Sequence, residues 1–187
     1  LTGTDWSYLY NHTPFSDTGG SGWNSISVTV YILSNKWSDG GSGGVDYWCD
    51  GVSDGKITAD MGNSSTECDG GIYFRYTNTS NWWRVTLDGS NNPERIELEK
   101  NELGTTTLEA SYDIAIGAAH PVEIIFDGSS ITVKLDGTTR ITHTSSFNSS
   151  ATKCGVNFAA NDNIDNFVID DDPGTSVKTD WLRGMPV

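Results

Sequence analysis

The chain has 187 residues, with 25 acidic side chains against 11 basic ones and a formal net charge of -14. That charge repels phosphate backbones and anionic lipid, and no basic cluster offsets it, so nucleic-acid and membrane-surface binding are excluded as expectations. No apolar run approaches the roughly 18 residues that span a bilayer, and no basic-then-apolar leader is read at the start.

Twenty-one glycines, with abundant Ser, Thr, Asn and Asp between short apolar runs, describe many strands joined by turns in one all-β domain. In chain order, residues 1–25 are aromatic-rich but aperiodic and read as an edge strand plus a covering loop. Ile26 to Leu33 alternates cleanly and predicts a strand. Ser34 to Asp54 reads as a long Gly-rich loop. Its Trp37, Tyr47 and Trp48 are expected to cap an open end of the core, with ligand contact as the alternative. Lys56 to Met61 is a short strand, and Gly62 to Asp69 a polar loop.

Residues 70–99 read as three consecutive antiparallel strands, because Asn78-Thr79-Ser80-Asn81 and Asp88-Gly89-Ser90-Asn91-Asn92-Pro93 are turn clusters. Alternation assigns Ile72, Phe74, Tyr76, Trp83, Val85, Leu87, Ile96 and Leu98 to a core face. It assigns Tyr73, Arg75, Trp82, Arg84, Thr86, Arg95, Glu97 and Glu99 to the opposite face. An aromatic and charged sheet face suits sugar binding, and it equally suits a solvated sheet with cross-strand ion pairs.

Further strands are predicted at Thr105 to Tyr112, Val122 to Phe126, Ile131 to Leu135, Thr139 to His143, Lys153 to Ala160 and Ile164 to Ile169. Asp127-Gly128-Ser129-Ser130 and Asp136-Gly137 form the hairpin turns, and Asn161-Asp162-Asn163 separates the last two strands. About a dozen strands without helical interludes predict a two-sheet antiparallel jelly-roll sandwich over residues 1–174. Residues 175–187 lose periodicity. Trp181, Leu182, Met185 and Val187 predict a tail that docks on its own sheet or on a neighbouring subunit, which would make the protein a homo-oligomer.

Cys49 and Cys68 occupy similar loop-like contexts, and a bridge between them is open in an oxidising compartment. Cys154 is expected as a buried thiol. Scattered histidines and the lack of any C-x-x-C pair argue against zinc.

The order GIYFRYTNTSNWWRVTLDG, RIELEK, VEIIFDGSSITVKLDGTTRI and CGVNFAANDNIDNFVID resembles the concanavalin A-like lectin/glucanase superfamily, nearest to laminin-G-like jelly rolls of bacterial secreted and phage structural proteins. The resemblance covers roughly residues 55–170 and rests on turn glycines and core positions. It implies an extracellular or virion-surface setting. It also implies a structural calcium near the closing strand, for which Asp162, Asn163 and Asp165 offer hard oxygen ligands; ordinary Asx turns are the alternative. Glucanases of the superfamily carry Glu-x-Asp-x-Glu on one strand, three acids on one face. Here the corresponding stretch is Arg95-Ile96-Glu97-Leu98-Glu99, with an arginine where the first acid would stand. A cation there is expected to keep its neighbouring carboxylate ionised, against what a general acid needs.

Three functions are therefore compared. The first is a non-catalytic adhesion module that binds a glycan through Tyr73, Arg75, Trp82, Arg84 and Glu97, with Trp82 and Tyr73 stacking on pyranose faces. The second is a purely structural virion decoration or fibre protein that contacts only neighbouring subunits. The third is a glycoside hydrolase or polysaccharide lyase.

Overall fold

A computed structural model describes residues 23–25, 31–33, 36–38, 45–50, 52–63, 70–89, 93–114, 120–158, 162–171 and 173. Every regular element among them is a strand: β1 (Trp23–Ser25), β2 (Tyr31–Leu33), β3 (Lys36–Ser38), β4 (Val45–Asp50), β5 (Gly55–Asn63), β6 (Gly71–Asn78) and β7 (Asn81–Asp88). The remainder are β8 (Glu94–Glu102), β9 (Thr105–Ile114), β10 (His120–Asp127), β11 (Ser130–Leu135), β12 (Thr138–Thr144), β13 (Lys153–Phe158) and β14 (Asp162–Asp170). No described helix is long and apolar enough to cross a membrane.

The strands form two seven-stranded sheets, ordered β1-β4-β13-β6-β7-β8-β9 and β12-β11-β10-β5-β14-β3-β2. All pairings are antiparallel. Consecutive strands change sheet at β4 to β5 to β6 and again at β12 to β13 to β14. These crossovers separate the fold from a simple meander, and the jelly-roll sandwich expected from the alternating runs is what forms.

The core lies between the sheets. Phe74, Trp83, Leu87 and Ile96 from the first sheet meet Ile57, Ile124, Phe126 and Ile131 from the second, all fully buried. The Phe74 ring stacks on Phe126 at 5.2 Å and on Trp83 at 6.2 Å, which ties the two layers at the centre. Each such side chain contributes about 1.5–3 kcal/mol through burial. The indole of Trp83 also donates to the Phe147 carbonyl at 3.0 Å, so its one polar atom is satisfied. Cys154 lies in this core as a free thiol, and burial pushes its pKa up to about 12.

The tight hairpins follow their turn residues. Asp136 and Gly137 both have positive φ, 51° and 73°, and join β11 to β12 in a two-residue turn whose twist matches the strands. Leu103 and Gly104, at 53° and 82°, do the same between β8 and β9.

Two expectations are corrected. The stretch 34–54 is not one long loop, since it contains β3 and β4, and β4 pairs with both β1 and β13. Its glycines hid two short strands, β4 bonded to β1 and to the distant β13, and β3 to its neighbour β2 and to the distant β14. Asp162 and Asn163 are not a connecting loop either, because β14 begins at Asp162 and pairs there with Asn63 of β5. Residues 26–30 of the expected early strand, Cys68 and the tail 175–187 lie outside the described residues.

Candidate functional site

The outward face of β6, β7 and β8 is laid out in cross-strand rows. One row runs Asn157, Gly71, Thr86, Glu97, Ser111, and the next runs Gly155, Tyr73, Arg84, Glu99, Leu108. Beyond them Lys153 pairs with Tyr76, while Trp82 pairs with Asn101 and Asn101 with Thr106. Side chains in a row sit at neighbour distance, so residues from five strands are within reach of one ligand.

Arg84 organises this surface. Its Nε and Nη2 both reach Glu99 Oε2 at 2.6 Å. The same guanidinium lies over the rings of Tyr73, at 5.8 Å, and Trp82, at 5.6 Å. Burial opposes the charge, yet Tyr73 and Glu99 outweigh it and hold the guanidinium pKa above its ordinary value. Its stem needs Gly71: a Cβ there would come within 2.8 Å of Arg84 Cγ and Cδ and 2.9 Å of the Val85 carbonyl.

Tyr73, Tyr76 and Trp82 form a second hydrophobic cluster apart from the main core. Tyr73 meets Trp82 edge to face at 5.0 Å and 89°, and the Trp82 indole donates to the Thr79 carbonyl at 3.2 Å. The three residues of the cluster are only 6–9% exposed. The expectation that Trp82 and Tyr73 stack on open pyranose faces is corrected accordingly: perpendicular packing and the Arg84 cap occupy those faces. What the face offers a ligand is the polar edge that the aromatic cluster holds in place.

Arg75 is not on this face. Between Phe74 and Asn78 the register slips by a β-bulge, with Arg75 at φ 48°, and the slip turns Arg75 inward and Tyr76 outward. Arg75 is fully buried. Its Nε donates to the Ser53 carbonyl at 3.1 Å, its Nη2 to Asp54 Oδ1 at 3.1 Å, and the guanidinium lies 5.5 Å from the Phe126 ring centre. Burial lowers the Arg75 pKa, against the pull of Asp54 and Asp127. Asp54 Oδ1 also accepts from Gly128 N at 2.8 Å, so the pair clamps the β10–β11 turn to the start of β5.

Glu97 is buried, and its pKa is raised: burial comes first, then Asp88 and Glu99, and together they outweigh Arg95 and Arg84. Arg95 does act in the expected sense, lowering this pKa, but the net shift is upward. Arg95 Nη1 stands 3.9 Å from Glu97, while its Nε is engaged by Asp113 at 3.2 Å. Alternation alone missed two members of the face. Tyr76 was hidden by the bulge, and Asn157 sits beside Gly71 with an Oδ1 that is shielded from solvent and accepts no hydrogen bond from the described residues.

Asp162, Asn163 and Asp165 lie along β14, facing Asn63, Gly62 and Asp60 of β5 in register; their side chains are outside what the structure describes. Among the described residues no three His, Cys, Asp or Glu side chains are grouped to hold a metal ion.

No protein-family profile and no curated protein sequence matches the chain. Solved structures do. The carbohydrate-binding module CBM66 from Bacillus subtilis superposes with a TM-score of 0.65 at 17% identity, covering 80% of this chain and 95% of that module. The Caenorhabditis elegans galectin LEC-6 gives a TM-score of 0.53 at 8% identity, covering 76% and 99%. A prokaryotic β-1,3-1,4-glucanase (lichenase) derived from a mouse hindgut metagenome gives 0.56 at 12%, covering 80% and 82%. At these identities the likeness is one of fold, and by its fold this chain is a concanavalin A-like jelly-roll sandwich.

Proposed function

We propose that this chain is a non-catalytic glycan-binding module whose ligand lies across the outward rows of β6, β7 and β8, on an extracellular or virion surface. The observation that carries the reading is the Arg84 assembly, a guanidinium fixed by Glu99 and by two aromatic rings on a sheet face. A merely solvated surface has no need to immobilise a charge in this way, whereas a polar ligand gains from donors and acceptors that are already oriented. Thr86, Glu97 and Asn157 extend the polar edge along the neighbouring row. Arg75 drops out of the ligand set and keeps only a structural role. A carbohydrate-binding module and a galectin share the fold, which supports a sugar as the ligand.

A glycan array followed by calorimetry with wild type and Trp82→Ala tests this. Loss of binding on the substitution is expected, because Arg84 loses one of its two ring contacts; binding unchanged by it rules out this face.

A glycoside hydrolase is the second reading, and Glu97 favours it. A carboxyl with a raised pKa next to a second carboxyl is what a general acid requires. Against it, Glu99 is tied to Arg84 and so is poorly placed as nucleophile. Reducing-end release from a polysaccharide panel, abolished by Glu97→Gln, would establish this reading in place of the first. The purely structural alternative finds support in Leu103, Leu108 and Tyr112, which are exposed at the β8–β9 turn and along the edge strand β9.

A further inference from the structure

The opposite sheet carries a groove of about 320 Å³ on its outward side, crossing β5, β10, β11 and β14. Pro121 and Gly137 supply its small apolar part over the backbone of Ala59, whose side chain belongs to the core, and polar side chains line the rest. Asp60 is held by Asn166, whose Nδ2 donates to Asp60 Oδ2 at 2.6 Å. Glu123 is held by Lys134 at 2.5 Å, and Thr58 stands between the two pairs, opposite Glu123 in the register.

Asn166 reaches Asp60 from a strained backbone. It sits at φ 52° in the bulge between Asp165 and Val168 of β14, a conformation that costs a non-glycine residue free energy. A plain strand would satisfy its own ladder here without the bulge. The bulge aims an amide at one carboxylate and fixes it at the mouth of the groove.

The chemistry of the lining selects the ligand class. An anion would meet two carboxylates, and an apolar ligand would strip water from the Glu123–Lys134 ion pair and from the Asp60 carboxylate without replacing it. A neutral polyol fits: its hydroxyls can donate to the remaining lone pairs of Asp60 and Glu123 and accept from Lys134, while a C–H face rests on Pro121. The volume suits one monosaccharide unit. We propose that this groove is a second ligand site, on the sheet opposite the Arg84 face, that takes a single neutral sugar residue. This assignment does not depend on the Arg84 face binding anything.

The test is amide-resolved NMR titration of the full chain with glucose, galactose, mannose and fructose separately, at concentrations up to tens of millimolar, enough to saturate a site of about millimolar Kd. The expected result is saturable shifts at Thr58, Asp60, Glu123, Lys134 and Asn166 with at least one sugar. Asp60→Ala should weaken that binding about tenfold, the loss of one hydrogen bond to a charged group. Asn166→Gly accepts the same φ without strain, so it keeps the fold, and it should weaken binding several-fold by releasing Asp60. Trp82→Ala should leave these shifts unchanged. Saturation without response at these residues, or binding indifferent to both Asp60→Ala and Asn166→Gly, overturns the assignment, as does the absence of shifts with all of these sugars.

Discussion

The rings of Tyr73 and Tyr76, three residues apart on one strand, lie on the same side of the sheet with centroids 6.5 Å apart at 77°. A regular strand would put them on opposite sides. The extra residue is Arg75, whose positive φ absorbs the slip while its guanidinium replaces Tyr76 in the interior. One backbone irregularity therefore both builds the aromatic cluster and fills the core beneath it.

Arg75→Gly isolates the side chain from the bulge, because glycine adopts φ 48° readily. It should keep the register and lose the bonds to Ser53 and Asp54. The expected cost is about 2–3 kcal/mol in urea unfolding, the range for hydrogen bonds made by a buried charged group. An unchanged midpoint would mean that the buried guanidinium contributes nothing net.

Much of this was legible in the sequence. The turn clusters Asn78 to Asn81 and Asp136-Gly137 located hairpins, and strict alternation placed Trp83, Val85, Leu87, Ile96 and Leu98 in the core and Arg84 and Glu99 on the same outward face, where the register sets them opposite each other. What period two cannot encode is a bulge, since nothing local marks Arg75 as the residue that breaks the alternation. Nor does local pattern reveal β3 and β4, which are three and six residues long in Gly-rich surroundings and each gain one partner, β14 and β13, from the far end of the chain. The closure of the Tyr73 and Trp82 ring faces depends on the tertiary placement of Arg84, which residue type alone does not fix.

Glu97 and Glu109 should drive stability in opposite directions with pH. The folded state raises the Glu97 pKa, so it binds that proton more tightly than the unfolded chain, and stability falls as pH rises from the ordinary glutamate range through the raised value. Glu97→Gln should remove this loss, stabilising the protein at neutral pH and not below that range. Burial raises the Glu109 pKa, but Thr107, Lys100 and His143 outweigh it and the net shift is downward, so its contribution is present above the ordinary range and is lost as pH falls through the folded value. Glu109→Gln should destabilise at neutral pH and not in strong acid. Thermal melts of both variants across pH check the two signs.

The Cys154 thiol, fully buried and with its pKa at about 12, should resist alkylation in the native state. Mass spectrometry of its peptide should show labelling only in denaturant. Rapid labelling without denaturant would place that end of β13 outside the stable core.

A calcium site at Asp162, Asn163 and Asp165 predicts that millimolar calcium raises the melting temperature of wild type, that a chelator reverses the rise, and that Asp165→Asn abolishes it. Identical melts with calcium and with chelator would remove the ion from the account.

The central claim is that a glycan binds across the Arg84 face, and calorimetric titration of the strongest array ligand into wild type and Arg84→Met tests it most directly. Methionine keeps much of the stem over Gly71 and removes the charge that Glu99, Tyr73 and Trp82 hold in place. The account predicts saturable binding by wild type and a loss of about tenfold or more in the variant, the worth of a charged hydrogen bond, with the fold intact by circular dichroism. Equal affinity in the two proteins would contradict it.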